Sequence, residues 1–205
     1  MARHRMVFVD VDTQADFMLP GGKLYVPEAE RLLPTISRLR DFAAKNDIPI
    51  LTSTDAHVTD DPEFQTWPPH CVRGTPGQLK VPESLLAQYL VVPQERQSSL
   101  TEAELSRYHQ WILEKDKLDM FASRHADDLV QRLDADQYVV YGVATEHCVR
   151  LAVLGLLKRG RKVALLTDAI KGIDEAGTQA ALRETQDAGA ELMHSEQITA
   201  AHVSA

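Results

Sequence analysis

The sequence has few cysteines, fewer basic than acidic side chains and no long apolar run. Two cysteines among 205 residues are too few for a disulfide framework and are typical of a reducing compartment, so we expect a cytoplasmic protein. No apolar run approaches the roughly 18 residues that span a bilayer, so we expect neither a membrane anchor nor a signal peptide. The net charge of −8 would repel a phosphate backbone, which disfavours nucleic acid as a partner.

Apolar segments with the period of a strand or of a helix alternate along most of the chain. The pattern predicts strands over residues 6–12, 48–53, 90–92, 111–115, 137–143, 162–167 and 190–194, and helices within 27–45, from 101, and over 124–133, 146–159 and 175–188. This alternation predicts one Rossmann-like α/β domain over residues 1–205, a three-layer fold whose mostly parallel sheet has helices on both faces. Residues 54–80 lack periodicity, and so long a structureless segment is typical of a functional loop.

Reactive side chains follow four of the predicted strands. Asp12 follows the first strand, Asp55 and His57 follow the second, Lys115 ends the fourth and Cys148 comes after the fifth. In a parallel sheet the carboxyl ends of the strands meet at one edge, and ligands bind there. The sequence therefore predicts an active site at this edge.

Cys148 lies where the predicted helix over 146–159 begins. The macrodipole and the unpaired N–H groups of a first helical turn favour a thiolate, although a lone cysteine is also commonly a small buried apolar residue. Asp12 and Lys115 could supply a base and a cation to an attacking thiol, but taken singly they could be a cap and a surface lysine. Cys71 lies inside a loop with no helix start, so we expect a structural role for it.

Possible metal ligands are concentrated in the loop after the second strand. Two imidazoles and two carboxylates fall within sixteen residues: Asp55, His57, Glu63 and His70. This set suits one Zn²⁺ ion, with Mn²⁺ or Fe²⁺ as alternatives. Asp60 or Asp61 could replace Glu63, and a merely polar loop is the alternative to a metal site. The prolines before His70 favour the metal, because a rigid backbone lowers the entropy cost of holding the imidazole.

Five motifs follow one another in a specific order. They are D-T-Q-A-D-F at 12–17, D-A-H at 55–57, W-P-P-H-C-V-R-G-T-P-G at 67–77, a lysine six residues before Phe121, and A-T-E-H-C-V-R at 144–150. Together they resemble the isochorismatase-like cysteine hydrolases, and among these most closely the nicotinamidases. The resemblance extends from about residue 7 to residue 192.

The resemblance implies a role for each matching residue. It makes Cys148 the nucleophile, Asp12 the general base and Lys115 the neighbouring cation, with Lys117 as the alternative because only the spacing to Phe121 fixes the lysine. It further implies metal ligation by Asp55, His57, Glu63 and His70, a pyridine ring held between Phe17 and Trp67, oxyanion binding by N–H groups of Ala144 and Cys148, and a cis peptide between Val143 and Ala144.

The activity implied by the resemblance is hydrolysis of a small aromatic carboxamide. Nicotinamide would be cleaved to nicotinate and ammonia through a cysteine thioester, and the metal would orient the ring nitrogen. The alternatives are an N-carbamoyl amine amidohydrolase, for which the metal cluster has no obvious use, an isochorismatase-type enzyme, whose chemistry needs no cysteine, and a non-catalytic binding domain. We further expect a homo-oligomer.

Overall fold

A seven-stranded sheet lies at the centre of the computed structural model, which describes residues 4–203. The strands are β1 (His4–Val11), β2 (Ile50–Asp55), β3 (Leu90–Val92), β4 (Gln110–Lys115), β5 (Ala135–Val143), β6 (Val163–Lys171) and β7 (Glu191–Met193). Their order across the sheet is β3-β4-β2-β1-β5-β6-β7, and each neighbouring pair is parallel. The predicted α/β fold with a parallel sheet is confirmed.

Helices cover both faces of the sheet because the central strands are apolar on both sides. The helices are α1 (Ala15–Met18), α2 (Leu33–Lys45), α3 (Glu102–Arg107), α4 (Ala126–Leu133), α5 (Arg150–Lys158), α6 (Glu175–Asp187) and α7 (Ser195–Val203). Val7 and Val9 of β1 belong to the core that includes apolar residues of α3, α4 and α5. Phe8, the residue between them, belongs to the opposite core with apolar residues of α2 and α7. This alternation is the two-residue period of a strand buried on both faces.

The structure differs from the predicted elements in three places. The predicted helix over 146–159 begins as a π-helical turn, Thr145–Val149, and becomes α-helical only in α5. The loop over 54–80 contains short 3₁₀ turns at Pro62–Gln65 and Pro76–Gln78. The sequence pattern also missed α1 and α7. Helix α7 depends on a tertiary contact, because Asp168 accepts hydrogen bonds from both the N–H and the hydroxyl of Ser195.

The chain leaves four adjacent strands at the edge where the reactive side chains were expected. Lys115 ends β4, Asp55 ends β2 in register with it, Asp12 follows β1, and Cys148 follows β5. The chain passes from β1 to β2 on one side of β1, whereas β5, the strand that follows β4 in the chain, pairs with β1 on its other side. Such a reversal of strand order leaves a crevice at the carboxyl ends of the strands, where α/β proteins bind ligands. The Val143–Ala144 peptide is cis. Among the described residues, no helix has the length and apolar character that crossing a membrane requires.

Candidate active site

A buried ammonium group lies between two carboxylates and a thiol. The Nζ of Lys115 is 2.9 Å from Oδ2 of Asp12, pairs with Oδ1 of Asp55 and lies 3.8 Å from Sγ of Cys148. The side chain of Lys115 is only 1% exposed, whereas that of Lys117 is 58% exposed. Lys115 is therefore the lysine that the structure brings to Asp12 and Cys148.

The charge of this lysine is held by its carboxylate neighbours. Burial alone would lower the pKa of Lys115, but the charges of Asp12 and Asp55 outweigh it and raise that pKa well above the ordinary value. The ammonium group therefore stays protonated across the physiological range. It cannot serve as the base that accepts a proton from the thiol.

Asp12 is oriented by the end of the neighbouring strand. The hydroxyl of Ser53 donates to Oδ1 of Asp12 at 2.7 Å, and the Asp12 N–H donates to the Ser53 carbonyl at 3.2 Å. Asp12 itself has a φ of 48°, which turns the chain out of β1. The carboxylate thus has one oxygen fixed by a hydroxyl and the other beside Lys115. Ser53 was missed in the sequence, where it reads as an ordinary strand residue.

The Cys148 thiol is more basic than its sequence position suggests. Burial raises its pKa well above the ordinary value; Lys115 opposes this shift, and Asp12 and Asp55 add to it. Burial of the sulfur disfavours its charged form, and the two nearby carboxylates add to that effect. The effect of the helix start, which favours a thiolate, is therefore opposed by burial and by the neighbouring carboxylates. In the ion-free protein, the raised pKa favours a neutral thiol, which lies close to the carboxylate of Asp12.

Cys71, the second thiol, lies in a different environment. It is fully buried, and Sγ contacts the Gly77 carbonyl at 3.9 Å. Burial and the charges of Asp55, Asp16 and Asp12 raise its pKa. Cys71 does not line the cavity described below. These features agree with the structural role expected for it.

Three of the four expected metal ligands converge beside Asp12, Lys115 and Cys148. Ligand atoms of Asp55, His57 and His70 all lie within 4.8 Å of one another, and all three residues are buried. The Nε2 atoms of His57 and His70 face Oδ2 of Asp55 at 3.8 and 3.7 Å. Glu63 lies at the margin of this group, with Oε1 3.9 Å from Nε2 of His70.

The remaining ring nitrogens of the two histidines are already engaged. Nδ1 of His57 pairs with Oδ2 of Asp61 at 3.0 Å, and Nδ1 of His70 donates to the Pro68 carbonyl at 2.8 Å. This pattern leaves Nε2 of each ring turned inward, as second-layer hydrogen bonds do for metal-binding histidines. Asp61 therefore supports His57 from behind and does not replace Glu63. Asp60 is exposed.

A donor set of this kind fits a divalent cation. Nε2 of His57 is buried without a hydrogen-bond partner. Burying an unpaired polar atom costs free energy unless a ligand such as a metal ion binds to it. Burial lowers the pKa of His57, but the neighbouring carboxylates of Asp55 and Asp61 outweigh this and raise it to about 8. Without an ion, the raised pKa thus favours a protonated, positively charged imidazole at His57, next to the carboxylates. Two imidazoles and a carboxylate are the ligands that Zn²⁺ prefers.

A cavity joins the thiol to the histidine cluster. It is lined by Asp55, His70 and Cys148 together with Phe17 and Trp67. The ring of Phe17 lies 5.3 Å from that of His70, centroid to centroid. Both aromatic residues predicted from the sequence therefore reach the same cavity. Ala144, at the start of the π-helical turn, lines it as well.

Other lining residues were not singled out in the sequence. Trp67 meets the ring of His147 edge to face at 5.4 Å, and Leu24, Leu118 and Ile173 complete the apolar walls. His147 belongs to the A-T-E-H-C-V-R motif, so its position beside Cys148 could have been noticed. The apolar residues come from separate loops and carry no local signal.

Comparison with known proteins agrees with this geometry. The Isochorismatase domain matches the chain in two overlapping segments, residues 6–110 and 93–197. The chain belongs to the isochorismatase family. The nicotinamidase/pyrazinamidase of Mycobacterium tuberculosis is 30% identical over 192 residues, which cover 89% of this chain and 95% of that protein.

Other family members are similar over most of their length. The nicotinamidase of Escherichia coli is 26% identical over 183 residues, covering 80% of this chain and 82% of that protein. The crystal structure of the pyrazinamidase of Pyrococcus horikoshii in complex with zinc has a TM-score of 0.76 and 28% identity, covering 93% of this chain and 99% of that one. The prediction of an amide hydrolase of the isochorismatase family is confirmed by these matches.

The neutral thiol in this family member makes a pH-dependent reactivity testable. In the metal-free protein, alkylation of Cys148 by iodoacetamide is expected to accelerate about tenfold per pH unit from about pH 7 to about pH 9, because the pKa of the thiol is raised above that range. Mass spectrometry of the peptides that contain Cys148 and Cys71 gives both rates, and the Cys71 peptide serves as the unreactive reference. A plateau of the Cys148 rate below about pH 8 would show a preformed thiolate and contradict this electrostatic account.

Proposed function

We propose that the protein is a metal-dependent nicotinamidase that hydrolyses nicotinamide to nicotinate and ammonia. The observation that carries the proposal is the cavity lined by Cys148, by Asp55 and His70 of the metal cluster, and by the aromatic side chains of Phe17 and Trp67. The nicotinamidases among the relatives support the same substrate.

The cluster would hold one divalent ion, with Zn²⁺ favoured by its donor set. Asp55, His57 and His70 would be the protein ligands, and Glu63 lies near enough to join or to hold a bound water. When bound, the ion supplies a Lewis-acid site for the pyridine nitrogen and so contributes to orienting the substrate. A zinc-bound pyrazinamidase structure among the relatives supports this assignment.

The first half of the proposed reaction forms a thioester. Asp12 accepts the thiol proton as Sγ of Cys148 attacks the carboxamide carbon, and N–H groups of Ala144 and Cys148 stabilise the developing oxyanion. Asp12 then returns the proton to the departing nitrogen, and the C–N bond breaks to release ammonia. Lys115 remains protonated throughout, and its charge stabilises the negative charge that develops on the sulfur.

The second half hydrolyses the thioester. Asp12 accepts a proton from an attacking water, the tetrahedral intermediate collapses, and the Sγ–C bond breaks. The proton returns to the sulfur of Cys148, and nicotinate leaves. Because Asp12 and Lys115 are buried, their charges act in a low dielectric and have larger effects on these steps than they would in water.

The metal cluster distinguishes nicotinamidase from other cysteine amidohydrolases of the same fold. An N-carbamoyl amine has no ring nitrogen for an ion to orient. Hydrolysis of such a substrate would therefore leave the buried cluster without a function. A non-catalytic binding domain gives no reason for a base and a cation beside a thiol. The isochorismatase reaction likewise needs no cysteine at this position.

The test compares nicotinamide with benzamide, which lacks the ring nitrogen. Removing the ion is expected to lower kcat/KM for nicotinamide by roughly 100-fold or more and to change that for benzamide much less, because only nicotinamide loses its orienting contact. Steady-state kinetics of the metal-loaded and the chelated protein measure this ratio.

Histidine variants provide the matched controls. His57→Ala and His70→Ala should lose the ion and the preference for nicotinamide, whereas His194→Ala, at an exposed position, should retain both. If the preference persists after chelation, or if the purified protein binds no divalent ion, a metal-free cysteine amidohydrolase becomes the better description.

A further inference from the structure

The segment that leaves β1 pairs through its backbone with the C-terminal end of the loop over residues 54–80. The Ala15 N–H donates to the Leu79 carbonyl at 2.8 Å, and the Val81 N–H donates to the Thr13 carbonyl at 3.0 Å. Between these backbone contacts, the side chains of Gln14 and Asp16 are buried, and the proposed reaction uses neither of them. The hydrogen bonds of these two side chains show which backbone segments they fix.

Gln14 pairs with both backbone groups of Asp55. Its Oε1 accepts from the Asp55 N–H at 2.7 Å, and its Nε2 donates to the Asp55 carbonyl at 2.8 Å. The same Nε2 donates to the Gln78 carbonyl at 2.8 Å. The side-chain amide of Gln14 therefore continues the backbone hydrogen bonding of the sheet at the point where β2 ends. It fixes the backbone of Asp55, the first residue of the metal cluster.

Asp16 holds the other end of the cluster. Its Oδ2 accepts from the Cys71 N–H at 2.7 Å, and its Oδ1 accepts from the Lys23 N–H at 2.9 Å. Cys71 directly follows His70 and has a φ of 45°, a conformation that few residues other than glycine adopt without support. The carboxylate thus secures the peptide that carries His70 into the cluster.

Gly77 leaves the space that this carboxylate occupies. A Cβ at position 77 would lie 2.1 Å from Oδ2 of Asp16, which is the oxygen that accepts from Cys71. An alanine there must push the carboxylate off the Cys71 N–H. The chain therefore offers a way to disturb the Asp16 contact without changing Asp16.

We propose that Gln14 and Asp16 are positioning residues that set the spacing of Asp55 and His70 before a divalent ion binds. This inference rests on the proposed function, since it assigns the ion to the same cluster. The two ligands lie fifteen residues apart on a loop, and ordering that loop at the moment of binding would cost conformational entropy. Gln14 and Asp16, two side chains from one short segment, hold the backbone at Asp55 and next to His70 before the ion binds. Supporting residues act in this way in preorganised sites.

The test measures Zn²⁺ affinity of the purified full-length protein by competition with a chromogenic chelator, without substrate. Asp16→Asn offers one acceptor oxygen to two N–H donors, and Gln14→Met removes the amide at similar volume. Each variant, and Gly77→Ala, is expected to weaken Zn²⁺ binding by about 10–100-fold. Combining Gly77→Ala with Asp16→Asn should weaken it by less than the product of the two effects, because both disturb one contact.

Asp168→Asn is the matched control for a merely structural role. Asp168 also accepts two hydrogen bonds, from the N–H and hydroxyl of Ser195, but it holds α7 and not the metal loop. Urea unfolding of the metal-free proteins shows how much stability each variant loses. Asp168→Asn should lose stability and keep wild-type Zn²⁺ affinity, whereas the Asp16 and Gln14 variants should lose affinity beyond their loss of stability.

The outcomes separate this inference from the proposed function. Wild-type Zn²⁺ affinity in Asp16→Asn and Gln14→Met would overturn the positioning role, and so would an equal loss in Asp168→Asn. If a wild-type protein binds no Zn²⁺, the positioning role falls together with the metal site. If the affinities follow the expected order but nicotinamide is not hydrolysed, the positioning role stands and the proposed substrate falls.

Discussion

Cys148→Ala is expected to lower kcat for nicotinamide by on the order of 10⁴-fold or more, because no other group in the cavity can form the covalent intermediate. The effect should fall on turnover and leave Zn²⁺ binding intact, since the proposed metal ligands come from a different loop. Steady-state kinetics and the chelator competition measure the two properties separately.

Cys71→Ala is the matched control. It removes a thiol of the same kind that lies outside the cavity, so most of the activity should remain even though a small buried side chain is lost. Comparable losses in the two variants would refute the assignment of the nucleophile. A further check is mass spectrometry during turnover, which should detect an acylated peptide containing Cys148 and none containing Cys71.

Asp12→Asn is expected to lower kcat by about 10²–10⁴-fold with a much smaller change in KM, because a general base acts mainly in the transition state. Asparagine keeps an oxygen that can accept from the hydroxyl of Ser53, so the local fold should be retained. Comparison of kcat and KM with the wild-type values measures the split between turnover and binding.

The same variant should make Cys148 more reactive toward an alkylating reagent. Asp12 raises the pKa of the Cys148 thiol, so removing that charge lowers the pKa and increases the thiolate fraction at neutral pH. Faster alkylation together with slower turnover would show that Asp12 contributes to catalysis by transferring a proton and not by promoting ionisation of the thiol. A rise in KM at unchanged kcat would instead assign Asp12 to substrate binding.

The sequence predicted the elements whose signal is local and missed those that depend on distant partners. Apolar runs located the strands of the sheet because a strand buried on both faces has few other compositions. Helix α7 escaped notice because its position depends on Asp168, which lies in a different element. The π-helical turn before α5 likewise has no periodicity that distinguishes it from an α-helix.

The candidate site shows the same division. Asp12, Asp55, Lys115 and Cys148 were found because each follows a strand, and the topology of a parallel sheet brings strand ends together. Ser53 and Ile173 were missed because their contacts join segments far apart in the chain. The raised pKa of the Cys148 thiol was also beyond reach, since it depends on burial and on the balance of three charges that only the folded arrangement determines.

The order of the strands also affects how the protein acquires its activity. Asp12, Asp55, Lys115 and Cys148 lie at or after the ends of four neighbouring strands and are spread in sequence from residue 12 to residue 148. Every strand pairing in the described part of the chain is parallel. Parallel pairings over such distances form slowly, because each must close a long loop before its contacts stabilise it. A collapsed chain with native helices would still hold a thiol without a base. Recovery of hydrolysis during refolding therefore reports completion of the central sheet, and it should lag behind recovery of the helical circular dichroism signal.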